Sequence, residues 1–328
     1  RYAQRAYELA PTRDGALAEL QAAAAAAEQW PAFVAALQAR LEGTTAPEEK
    51  HALEAKIAET YATQLGRVDE AIAAYRTLVE QNPDDDEAVA KLDRILRAQD
   101  RRDDLRWLYE TRVARAGTAQ KVELLCEWAV LEEEALGAPD RAAEIYRRVL
   151  EVVPKHGKSL RALARLLQNT GSADEAVQML ERDRDQREGK ERAARELEIA
   201  KLQIELKRPG EALAAVKRAF EEIPGDAQAV AILERLLDIA ESRPRAAALL
   251  EQHYASTGQH DKQAHVLDVL IATAASKGER SALYDKLVTV HENRGQLGEA
   301  FDVAARAADE VPGELSMWDR LGVLANKT

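Results

Sequence analysis

Few residues in the chain have types and spacings that could do chemistry. Gly157-Lys158-Ser159 ends as a phosphate-binding loop ends, but such a loop needs a glycine five residues earlier, and that position is Val152. After Pro154 the three residues read as the opening of a helix. His253, His260 and His265 with Asp261 form the one histidine cluster. Zinc on a helix takes ligands at i and i+4, whereas His260 and His265 are five apart. His291-Glu292 begins like a zinc-protease helix, yet Gly295 stands where the second histidine belongs. Cys126 lies in LLCEWAVL, on an apolar stripe, and reads as a small core hydrophobe with no base beside it. The carboxylates Asp84 to Asp86 and Glu132 to Glu134 lack calcium-loop spacing; the first set suits a helix cap and the second a solvated face. No active site, cofactor site or metal site is expected.

What would position any functional surface is a repeating frame. In Gly66 to Leu96, Ala71, Tyr75 and Leu78 fall at i, i+4 and i+7, one face of a helix, and Pro83 stops it. Asp84 to Asp86 then cap a second helix carrying Val89, Leu92 and Leu96. Anchors equivalent to Ala71 recur at Phe33, Leu105, Ala142, Ala176, Ala212, Ala246 and Ala300, in steps of 38, 34, 37, 34, 36, 34 and 54. Periods near 34 mark a helical solenoid. Helices stopped by Pro11, Pro83, Pro154, Pro224 and Pro312 alternate with helices ending near Gly43, Gly117, Gly189 and Gly278. The true unit is therefore a pair of repeats.

The frame of small residue, aromatic four later and proline eight after that, as in Ala71-Tyr75-Pro83 and Ala142-Tyr146-Pro154, resembles the tetratricopeptide repeat. Trp318, Leu321 and Gly322 are similar to that family's first-helix signature. The resemblance covers essentially the whole chain, in paired and partly degenerate repeats. It implies an all-α, right-handed solenoid of antiparallel helix pairs with about nineteen helices.

The last step of 54 is one helix too long, and 243–256 and 259–276 both read as second-helix types. Regular repeats are expected over 1–240, a break with one extra helix over 241–262, and C-terminal repeats over 263–328. Spacing does not identify which helix is surplus. The opening RYAQRAYELAP reads as the tail of a helix and GELSMWDRLGVLANKT as a first helix without its partner, so the chain is read as an excerpt of a longer protein.

Composition fits thin helix layers better than one thick core: aromatics are 5% of 328 residues and charged residues 32%. A net charge of −12 argues against nucleic acid or an anionic membrane as the main partner. The longest purely apolar run, Ala22 to Ala27, is far short of a membrane span. One cysteine leaves the compartment open, with the cytoplasm as the default expectation.

In tetratricopeptide arrays the first helices line a groove that receives a peptide or helix of another protein. The resemblance places Arg94, Arg165 and Arg235 on that groove, each eleven residues after its proline, with Ala22 at the equivalent point of the first unit and Arg97 and Arg161 nearby. Such a row could grip a partner's carboxylates through bidentate bonds, or simply pair with neighbouring acids along each helix. The expected role is a non-enzymatic scaffold or adaptor for an acidic peptide, helix or domain. Rival readings are the regulatory segment of a larger enzyme or signalling protein, and a helical-repeat RNA binder, which the charge disfavours.

Overall fold

The computed structural model describes residues 15–313 and 315–327. The proposed helix tail at 1–11 and Pro11 lie outside them. The chain divides into two compact units, Arg1–Pro154 and Lys155–Thr328. Among the described residues there are eighteen α-helices and no strand.

In the first unit these are α1 (Ala16–Ala27), α2 (Trp30–Gly43), α3 (Pro47–Thr63), α4 (Val68–Gln81), α5 (Asp86–Ala98), α6 (Arg102–Arg115), α7 (Thr118–Val130) and α8 (Pro139–Val152). One π-helical turn, Leu131–Ala135, prolongs α7. The second unit holds α9 (Gly157–Asn169), α10 (Ala173–Arg184), α11 (Gly189–Glu205), α12 (Pro209–Glu222), α13 (Ala227–Leu237), α14 (Arg243–Thr257), α15 (His260–Thr273), α16 (Lys277–Asn293), α17 (Leu297–Glu310) and α18 (Leu315–Ala325). Within each unit every helix packs on the next, as the short turns require of antiparallel neighbours.

The prolines stop helices as read: α4, α8, α12 and α17 each end two residues before Pro83, Pro154, Pro224 and Pro312. All eight second-helix anchors are buried. Because most of them are alanines, neighbouring backbones approach closely, and the core runs as a thin seam between helix layers. Caps follow the sequence too. Asp85 accepts from the Ala88 N–H at 3.1 Å, and Asp226 accepts from the Gln228 and Ala229 N–H groups.

Three readings need correction. Two of the glycines paired with degenerate repeats are not left-handed helix stops, since Gly117 has φ −65° and Gly278 lies inside α16; Gly189 is left-handed, at φ 53°, but stands five residues past the end of α10, where it opens α11. Other left-handed residues sit in turns between first and second helices, as Gly66 and Gly137 do, and Asp100 and Lys207 adopt the same φ there without being glycine. Glu132 is no solvated residue. It is fully buried on the π turn, where Arg106 donates to it at 2.8 and 2.9 Å and the Trp128 indole at 3.1 Å. The π turn is what swings Glu132 toward α6. Cys126 is half-buried rather than in the core.

Candidate partner-binding surface

In the second unit α9 and α11 face each other across a cleft of about 610 Å³, with Leu180 of α10 and Leu202 beneath it. Arg161 and Arg165 enter from α9, one turn apart on the same face. Arg195 and Lys201 enter from α11, with Glu198 and Glu205 as the carboxylates. Lys201 also donates to Gln228 of α13 at 3.4 Å, so α9, α11 and α13 form one continuous wall.

Beneath the cleft lies Asp183, a fully buried carboxylate at the end of α10. Arg187 donates to it at 3.0 Å and Arg161 at 3.3 Å, while the Arg195 guanidinium stands 3.7 Å away. A buried carboxylate is tolerated only with such partners. The knot ties α10 to α9 and α11 and fixes two of the four cations. Arg195 is held from a second side by Glu198 at 2.6 Å. Arg165 and Lys201 are exposed at the cleft. Entering α9, His156 meets the Ser159 hydroxyl at 2.8 Å. Burial, with Lys158 and Arg161 nearby, pushes its pKa below the usual histidine value. Glu196, also fully buried, accepts from Arg218 of α12 at 2.6 and 2.9 Å.

The structure thus brings Arg161 and Arg165 to one cleft and adds Arg195 and Lys201, which sequence reasoning missed because they lie outside the proline-based register. Arg235 is exposed on α13, lines neither this cleft nor the next, and makes no ion pair among the described residues. Arg94 and Arg97 belong to α5 in the first unit; Arg94 is exposed, and Arg97 donates to Asp93 one turn away at 2.6 Å.

A second cleft, about 430 Å³, lies between α13 and α15 over the ring of Tyr254 from α14. The Tyr254 hydroxyl donates to Glu234 at 2.7 Å and Lys262 donates to the same oxygen at 2.9 Å. These two donors, Lys262 first, hold the Glu234 carboxyl below its usual range, and burial raises the Tyr254 phenol. Asp238, Asp261 and His265 complete the rim. His253 instead packs edge-on to Phe220, so the histidine cluster is divided among different surroundings. Among the described residues no group of three or more His, Cys, Asp or Glu could hold a metal.

Cross-repeat ion pairs give α15 its place in the frame. Arg101 reaches back to Asp69 and Arg208 to Asp174, each from the turn before a second helix to the start of the previous one. Arg294 makes the same bond to Asp261, at the start of α15. Glu110 of α6 pairs with Arg148 of α8, and Asp268 of α15 with Arg306 of α17, each across 38 positions. These pairs give α15 the bonding pattern of a second helix, while α14 carries the buried anchor Ala246.

Family models described as tetratricopeptide repeats match residues 134–197 and 56–85. No curated protein matches the chain in sequence. Among solved structures it is similar to the TPR domain of P58(IPK), at 12% identity and TM-score 0.34, covering 94% of this chain and 86% of that one. It is similar to a chain of the Naa15/Naa10 complex bound to HypK-THB, at 14% identity and TM-score 0.43, covering 99% of this chain and 57% of that one. A third is YrrB, described as a TPR protein with an unusual peptide-binding site, at 15% identity and TM-score 0.27, covering 65% of this chain and 99% of that one.

Proposed function

Because this chain is a tetratricopeptide-repeat protein, we propose that it works as a non-catalytic scaffold that holds an acidic peptide or helix of another protein in the cleft between α9 and α11. One observation carries the reading. In a chain of net charge −12, four cations converge on a cleft with leucines beneath it and only two carboxylates on its rim. Such local reversal of sign favours encounter with an acidic segment, and arginine forks suit its carboxylates. Arg165 and Lys201, exposed at the cleft, are the contacting groups, and Arg161 and Arg195 beside Asp183 add to the field. Arg235, and Arg94 and Arg97 in the first unit, extend the same chemistry to other first helices.

The test uses a synthetic peptide of alternating glutamate and leucine, followed by fluorescence anisotropy. Arg165→Glu with Lys201→Glu should weaken its binding at least about tenfold, while thermal stability hardly moves because exposed charges add little to folding. Unchanged affinity in the double variant contradicts the assignment.

A further inference from the structure

The wall that carries the basic cleft continues to a second cleft of opposite sign. Lys201 joins α11 to α13, and Lys262 joins α15 to α13, so α9, α11, α13 and α15 stand side by side. The basic cleft is lined by four cations and two carboxylates, a formal +2. Its neighbour is lined by Glu234, Asp238 and Asp261 against Lys262, a formal −2 over these four groups. α15, which has the ion pairs of a second helix, stands next to α13 on this wall, and α14 supplies the Tyr254 floor.

We propose that this wall reads a single extended partner segment of two charge blocks, an acidic block seated between α9 and α11 and a basic block between α13 and α15. The proposal rests on the binding role assigned to the first cleft. In the second cleft Glu234 is occupied by Tyr254 and Lys262, and Asp261 by Arg294. Asp238 makes no ion pair among the described residues and is exposed, so its carboxylate is the one left to meet a cation. Leu237 and Val266 beside it suit the aliphatic stem of a lysine or arginine.

The spacing defines the partner further. Packed helices lie roughly 10 Å apart, so the clefts are two steps, about 20 Å, apart. An extended chain covers that in about six residues. The distance exceeds twice the Debye length of about 8 Å at physiological salt, so the two fields do not cancel and each block is read separately. Linking two weak contacts in one chain multiplies their effect.

Three synthetic peptides test this against the whole chain: a glutamate block, a neutral linker of about six residues and a lysine block; the same length with both blocks glutamate; and a scramble of the first. The block peptide should bind about fivefold or more tighter than the other two, and Asp238→Lys should remove that advantage without weakening the all-glutamate peptide. An all-glutamate peptide or scramble that binds as well as the block peptide, or an advantage that survives Asp238→Lys, overturns the proposal while leaving the first cleft in place. Failure of every peptide, the all-glutamate one included, overturns both.

Discussion

Gly157 and Asp183 meet so closely that a Cβ on Gly157 would stand 2.8 Å from the Asp183 carboxylate and 2.5 Å from the Arg187 guanidinium, and these side-chain ends would have to shift to admit it. The sequence places this glycine at the first position of α9, where its resemblance to a nucleotide loop is incidental. Its bareness lets a buried carboxylate and its arginines lie flush against the helix that carries Arg161 and Arg165. Gly157→Ala should therefore destabilise the second unit by about 1–3 kcal/mol, because the displaced knot outweighs the helix propensity that alanine adds. Urea denaturation checks it. A stabilised variant would show that the knot yields freely.

Asp183→Asn keeps the shape and removes the charge, leaving Arg161, Arg187 and Arg195 without their shared counter-ion. The expected cost is about 3 kcal/mol, at the low end for a broken buried pair because the guanidiniums keep some access to water. Hydrogen exchange should rise across α9 to α11 and not in α1 to α6. Uniform change through the chain would contradict a local knot.

His156 has its folded pKa below 6.5, through burial first and then Lys158 and Arg161. Below 6.5 the unfolded chain binds the proton more readily than the folded one. Its contribution is thus fully present above pH 6.5 and lost as pH falls through the folded value. His156→Gln should flatten the fall in thermal midpoint on acidification past pH 6.5. Parallel curves for the two proteins would remove His156 as the cause.

The frame was legible in sequence because alanine anchors, stop prolines and capping aspartates act locally. Ala71, Pro83 and Asp85 do what their spacing implies. Asp183, Glu196 and Glu132 were not legible. Glu132 sits in an acidic string that reads as solvated, Asp183 and Glu196 sit in charged stretches with no motif, and only contacts with neighbouring helices bury them. The excess length between Ala246 and Ala300 was visible in sequence, but the bonding pattern of α15 emerged only from cross-repeat partners such as Asp261 and Arg294. The arginine register pointed to Arg161 and Arg165 on α9 and not to Arg195 and Lys201, which belong to a first helix that follows no proline-stopped helix.

In the first unit, Glu132→Gln should cost about 2 kcal/mol, since an amide cannot accept the paired bonds of the Arg106 fork and also the Trp128 N–H. Tryptophan emission should shift with it, as Trp128 loses its carboxylate. A variant of unaltered stability and emission would show that the π turn is held by packing alone.

The central claim is that first helices of the second unit receive an acidic partner segment. A glutamate-leucine peptide bearing a benzophenone photocrosslinker, irradiated on the intact chain and mapped by mass spectrometry, tests it most directly. The account predicts attachment on α9 and α11, around Arg165 and Lys201, abolished by Arg165→Glu with Lys201→Glu. Attachment concentrated on the outward faces of α10 and α12, and indifferent to those substitutions, would contradict it.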